Sequence, residues 1–194
     1  MKLFKFVRCL ILLGLISHLF ACAVVAVGGA AAATGTAVVD RRTTGTLVED
    51  QTIEVKALKA IRNDAELNEQ AHMNVISYNT IVLVTGETPT DAMRQRAIEL
   101  VKGVDKVTHV YNELTIAAPS SLVSRSSDSY ITTKVKTQLF ADKNVSGVQF
   151  KVVTEKGVVY LMGIVSRAEA EIATEIARQT GGVQKVVKLF QYTD

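Results

Sequence analysis

From Asp50 onward the apolar positions switch between two spacings, and the switching happens twice. Over 50–62, Ile53, Ala57, Leu58 and Ile61 recur three and four residues apart, which places them on one face of a helix. Two strand-like segments follow at 72–78 and 80–85, with Tyr78-Asn79 at the expected hairpin turn. An amphipathic segment at 89–102 starts on Pro89, suited to a first helical turn, and stops at Gly103. A last strand spans 106–116. The same order returns downstream. Ile131, Val135 and Leu139 mark a helix over 128–141, strands are expected at 147–154 and 157–162 around Lys156-Gly157, a helix at 166–180, and a strand at 184–192.

The two runs are copies of one unit. Ile53 aligns with Ile131, Lys56 with Lys134, Gly86 with Gly163, and Val104-x-Lys106-Val107 with Val183-x-Lys185-Val186. The offset stays between 77 and 79 residues over three ordered segments, as one small insertion on each side produces. The fold class is therefore α+β: two tandem α-β-β-α-β domains, 50–116 and 128–194, each a three-stranded mixed sheet with two helices on one face. Residues 117–127, rich in serine, are expected to link them. The strand VVYLM at 158–162 is apolar on both faces. A strand covered on one side only alternates, so its second face needs an occupant: the sister domain, a partner or lipid.

The N-terminus changes the reading of composition. Residues 1–8 carry Lys2, Lys5 and Arg8, and an apolar run follows to Phe20, which is the layout of a signal peptide over 1–21. Leu19-Phe20-Ala21-Cys22 resembles a bacterial lipobox. That resemblance implies diacylglycerol on the Cys22 thiol, cleavage before Cys22 and an acyl-chain anchor. Ala at position 23, where aspartate would retain such a chain in the inner membrane, implies the outer membrane and its periplasmic face. The competing reading is an uncleaved membrane helix, since apolar character continues past Cys22. Residues 22–49 read as the lipidated end and a flexible tether. Without residues 1–21, 19 Lys and Arg face 19 Asp and Glu. The net positive charge thus belongs to the targeting segment and gives no nucleic-acid surface.

The motifs Val82-Leu83-Val-Thr-Gly86 with Gly103-Val104-Asp-Lys-Val107, and Val159-Tyr-Leu161-Met-Gly163 with Gly182-Val183-Gln-Lys-Val186, resemble those of the BON domain. In the first copy the leucine falls one residue earlier relative to Gly86. Two such domains behind a lipobox are similar to the outer-membrane lipoproteins of that family. The resemblance implies phospholipid binding, a role in envelope integrity, and no catalytic residue.

Enzyme constellations are not visible. Of His18, His72 and His109, none has a cysteine or second histidine at metal-ligand spacing. His72 beside Glu69 reads as a solvated strand start. No catalytic residue, cofactor, metal, nucleic acid or small-molecule substrate is expected. Charge is more informative: residues 50–116 hold 7 basic against 10 acidic groups, and residues 128–194 hold 9 against 7. In helix 128–141, Tyr130, Lys134 and Phe140 point away from the core-filling residues, with aromatics near each end and lysines between, an interfacial arrangement. The expected lipid contacts are Tyr130, Lys134, Val135, Lys136 and Phe140, docking on anionic phospholipid. The alternatives are that the aromatics pack on domain one, or that the paired domains clasp an envelope protein such as an outer-membrane assembly or cell-division component.

Overall fold

The computed structural model describes residues 40–194. The expected signal peptide, Cys22 and the tether as far as residue 39 lie outside the described residues.

Domain one runs α1 (Thr44–Asn63), α2 (Ala65–Gln70), β1 (His72–Tyr78), β2 (Ile81–Thr88), α3 (Asp91–Lys102) and β3 (His109–Ile116). Domain two runs α4 (Leu122–Ala141), a 3-10 turn (Gly147–Gln149), β4 (Phe150–Glu155), β5 (Val158–Val165), α5 (Arg167–Gln179) and β6 (Lys185–Tyr192). In each sheet the middle strand pairs antiparallel with its hairpin partner and parallel with the strand that returns after the helix. The α+β class and the doubled α-β-β-α-β unit hold. Domain one inserts the short α2, whose Asp64 cap accepts the Leu67 N–H and whose Leu67 is fully buried.

Two expected connectors are partly helical. The first helix begins at Thr44, six residues before the expected 50, on a cap in which Thr43 Oγ1 accepts from Thr46 N–H. The stretch 117–127, expected as a linker, already enters α4 at Leu122, capped by Ser121. Serine in a linker and serine in a helix differ by where the hydroxyl bonds. Here Ser126 donates to the Leu122 carbonyl and Ser129 to that of Arg125, each one turn back.

A pair of aspartates ties helix to hairpin in both copies. Asn79 and Thr80 have φ of 50° and 65°, and Lys156 and Gly157 have 49° and 74°. Both are two-residue turns with both central residues left-handed, the form that suits strand twist. The first turn lies one residue beyond the expected Tyr78-Asn79, because Tyr78 stays in β1 with its ring buried. Asp50, buried in α1, accepts the N–H groups of Asn79 and Thr80 at 2.9 Å. Asp128, buried in α4, accepts those of Lys156 and Gly157 at 2.9 and 2.8 Å. These aspartates open the two repeats in the sequence.

The glycine that ends each motif also has a spatial cause. A Cβ on Gly86, whose φ is +122°, would lie 2.0 Å from the His72 carbonyl oxygen, and one on Gly163 would lie 2.7 Å from that of Gln149.

Each domain buries its own core, built around Ile53, Ala57 and Ile61 in one and Ile131, Val135 and Leu139 in the other. A third cluster lies between the two sheets, where Tyr78 and Leu83 meet Tyr160, Met162 and Leu189. The second face of VVYLM is therefore covered by the sister domain. Polar bonds frame this apolar contact: Tyr78 donates to the Gln149 carbonyl at 3.0 Å, Asn79 to Gln191 at 2.7 Å, and Tyr160 to Glu113 at 3.3 Å. Burial, with Glu113 adding, pushes the Tyr160 phenol well above its ordinary value.

The segment before α1 straps both domains. The Arg41 guanidinium donates to Glu169 of α5 at 2.8 and 2.9 Å and to the Ile164 carbonyl at 2.8 Å. The next residue turns the other way: Arg42 pairs with Asp50 at 3.0 Å and lies 4.0 Å over the Tyr78 ring.

Candidate functional site

Helix α4 has two apolar faces. One holds Ile131, Val135 and Leu139 in the core. The other is open: Leu122 is 77% exposed, Val123 80%, Tyr130 66% and Phe140 61%. The aromatics thus do not pack on domain one. The positions between them are hydroxyl residues whose donors are already used. Ser126, Ser129, Thr133 and Thr137 each donate at 2.9 Å to the carbonyl four residues back. A hydroxyl satisfied within its helix loses little on leaving water, so this stripe can be desolvated along its length.

Charge is arranged at the edges. Each aromatic has a lysine four residues away, Lys134 after Tyr130 and Lys136 before Phe140, which puts each pair on adjacent turns. The Lys134 ammonium lies 5.4 Å over the Tyr130 ring and donates to the Gly181 carbonyl at 3.0 Å, which holds both side chains in place. The acid within α4 is Asp128, buried and engaged by the hairpin turn, so the open face carries no negative side chain. Phe140 lies against the backbone of Gly147, where an added Cβ would come within 2.7 Å of the ring. Glycine there lets the ring rest on the loop, beside the part-exposed Val148.

Of the five expected contacts, Tyr130, Lys134, Lys136 and Phe140 lie on or beside this surface. Val135 does not. It is fully buried against the domain-two core, since its position four residues from both Ile131 and Leu139 turns it inward. Leu122 and Val123 were missed because residues 117–127 read as a linker. The signal was there in the serine and threonine residues three and four apart, which continue through 126, 129, 133 and 137. Cys22, the expected lipid-modified residue, lies outside the described residues. Among the described residues, no helix is long and apolar enough to cross a membrane.

A second polar site lies where the domains meet. Glu87 of β2 is fully buried. Its Oε2 accepts the Ser120 N–H at 3.2 Å, and its Oε1 accepts no hydrogen bond and faces the Lys156 ammonium at 2.8 Å. Glu155, at the end of β4, accepts from Asn74 at 3.1 Å and from the Thr85 hydroxyl at 3.4 Å. Burial raises the Glu155 carboxyl above its ordinary value, with Asn74 opposing and Glu87 adding. Burial and Arg125 hold the His72 imidazole below its ordinary value, against Glu87. The sequence reads His72 beside Glu69 as a solvated strand start; the sheet instead half-buries it near Glu87 and Glu155, with donor atoms of all three within 4.8 Å of one another.

The comparisons with known proteins agree with this architecture. The family model described as the BON domain matches residues 49–118 and again 127–194. The chain is 41% identical over 184 residues to the outer membrane lipoprotein DolP of Haemophilus influenzae, covering 95% of each. It is 40% identical to a 21 kDa hemolysin of Actinobacillus pleuropneumoniae, covering 79% of each chain. It is 31% identical to the osmotically inducible protein Y of Escherichia coli, over 73% of this chain and 72% of that one. The chain belongs to the BON-domain family, with two copies of the domain in tandem.

Proposed function

We propose that this protein is a non-enzymatic lipoprotein of the outer membrane, anchored through Cys22 on the periplasmic face, that binds anionic phospholipid through α4 of its second domain and supports outer-membrane integrity. The observation that carries the reading is the open stripe of α4. It is apolar and aromatic, its hydroxyls are internally bonded, and lysines flank it with no exposed acid. Aromatic rings favour the headgroup level, and a lysine near an anionic surface contributes about 1 kcal/mol. The 41% identical relative, named as an outer membrane lipoprotein, supports the location, as does the lipobox-like Leu19-Phe20-Ala21-Cys22. Acyl chains contribute roughly 0.8 kcal/mol per buried methylene and give attachment; α4 gives selectivity.

The protein-clasping alternative finds less support. The faces of the two sheets that a clasp would use are packed on each other. Co-sedimentation of residues 40–194, which pack as one compact unit, with vesicles separates the readings. Retention on phosphatidylglycerol vesicles, weakened by Tyr130→Ala with Phe140→Ala, is the expected result. No retention on anionic vesicles would return the function to a protein partner. For the anchor, Cys22→Ala is expected to release the protein from the membrane fraction; unchanged size and unchanged membrane association would sink that part.

A further inference from the structure

The polar cluster at the domain seam has the composition and spacing of a metal centre. We propose that His72, Glu87 and Glu155 form a divalent-cation site, suited to zinc, that bridges domain one to domain two. One imidazole nitrogen and two carboxylate oxygens, with donor atoms within 4.8 Å of one another, are a three-ligand set that zinc completes with water. The ligands come from both sheets: His72 and Glu87 from β1 and β2, Glu155 from β4.

Three further observations point to a cation there. Glu87 is fully buried, and its Oε1 has no hydrogen-bond donor. The lone pairs on that atom are answered only by an ammonium, Lys156, whose side chain is 39% exposed. That lysine can turn out to water as a dication enters, leaving no buried charge behind. Second, both carboxylates are already positioned by outer contacts. Ser120 N–H holds Glu87, while Asn74 and Thr85 hold Glu155, the kind of second layer that orients metal ligands. Third, there is a way in. His72, Asn74 and Glu155 line a cleft of about 510 Å³ between β1, β4 and α4. Three carboxylates, Glu87, Glu155 and Asp128, are answered there by two monovalent cations, Lys156 and Arg125, and a divalent ion meets the remaining deficit of positive charge.

The sequence hides this site. Its ligands sit at 72, 87 and 155, and no short motif contains them. The bridge is independent of the lipid reading, since it lies on the seam and not on the open face of α4.

The test is calorimetric titration of zinc chloride into the full chain in detergent micelles, with thiols alkylated so that cysteine cannot bind. One saturable zinc per chain is expected, along with a rise in Tm at saturation. His72→Ala, a half-buried position on an edge strand, is expected to weaken binding at least about tenfold and to abolish the Tm rise. His109→Ala, on the exposed strand β3, should leave both unchanged. Lys156→Ala gives the sharpest contrast: removing the competing ammonium should tighten zinc binding, where a merely structural ion pair predicts none. Cobalt in place of zinc should give a visible band that His72→Ala removes. The proposal is overturned if neither the wild type nor Lys156→Ala takes up zinc saturably, or if the zinc that binds survives His72→Ala and Glu155→Gln.

Discussion

Helices α1 and α4 hold the same place in their domains and differ in what they turn outward. Aligned on Asp50 and Asp128, their inward positions match in kind: Ile53 with Ile131, Ala57 with Val135, Ile61 with Leu139, all buried. The outward positions do not match. Thr52 stands where domain two has Tyr130, and Arg62 where it has Phe140. Lys56 and Lys134 are conserved between the copies, so the difference is one of apolar reach and not of a single charge. Domain one also carries an excess of acid and domain two an excess of base. Duplication kept the inward face, which the sheet dictates, and left the outward face free to specialise in one copy.

The most severe way to probe this comparison is to break the part the two helices share. Asp50 accepts two turn N–H groups and the Ser77 hydroxyl at 2.7 Å, and it pairs with Arg42. Asp128 accepts two turn N–H groups. Leaving buried donors unsatisfied costs roughly 1–3 kcal/mol per group, less where water can reach them. Asp50→Ala is expected to lower unfolding free energy by about 3 kcal/mol and Asp128→Ala by about 2 kcal/mol. Urea unfolding at neutral pH measures both. If neither substitution moves the midpoint, the helix-to-hairpin tie is not what holds the repeat.

Next in size is the feature that separates the helices. Tyr130→Ala with Phe140→Ala removes two rings that already face solvent, so the fold should lose little. Area burial of two such rings amounts to about 2 kcal/mol, and affinity for anionic vesicles should fall on the order of 30-fold. Thr52→Ala with Arg62→Ala should leave vesicle affinity unchanged. Equal losses from the two double variants would mean that α4 is not the specialised helix. Grafting Thr52→Tyr and Arg62→Phe onto the crippled chain should restore only part of the binding, because the surface around α1 is acidic.

How far these differences could be read from the sequence depends on their range. The repeat, the sheet order and the inward faces are periodic, and periodicity is local; Ile131, Val135 and Leu139 needed no structure. Tyr130 and Phe140 were legible for the same reason, since a helix places them off the core face. Val135 was assigned to both faces at once, and only one was open to it. Residues 122–127 were misjudged because serine composition suggests a flexible chain while the bonds that make it helical run to carbonyls four residues back. What no local pattern carries is the pairing of distant parts: the sheet-on-sheet contact, Arg41 reaching Glu169, and His72 meeting Glu87 and Glu155. Each was present in the sequence as an unremarkable charged or apolar residue.

The lysines refine the comparison at smaller scale. Lys134→Gln and Lys136→Gln are each expected to weaken binding to anionic vesicles about fivefold, near 1 kcal/mol per charge. The loss should shrink as salt rises and should vanish on zwitterionic vesicles. Lys134 also holds Tyr130 and the Gly181 carbonyl, so its substitution should cost more than that of Lys136. The reverse order would show that the charge acts alone, without positioning the ring.

The smallest expected effect concerns the strap that joins the two domains, and pH makes it measurable. The hydrogen bonds from Arg41 hold the Glu169 carboxyl below its ordinary value, while burial opposes them. A carboxyl depressed in the folded state stabilises the fold above its unfolded value, which is near 4.5. That contribution is lost as pH falls through the lower folded value, where Glu169 takes up a proton in both states. The pair is partly exposed, so its contribution at neutral pH should be small and screened by salt. Arg41→Gln should therefore lower the urea midpoint slightly at pH 7, and the gap to wild type should close on acidification below the ordinary carboxylate range. A gap that persists undiminished in acid would mean that the Arg41 guanidinium acts through its bond to the Ile164 carbonyl, not through the ion pair. Arg42, which turns to domain one, gives the internal control. Its substitution removes a partner of buried Asp50 and should destabilise more than Arg41→Gln at neutral pH, so the strap's two adjacent arginines test the two domains separately.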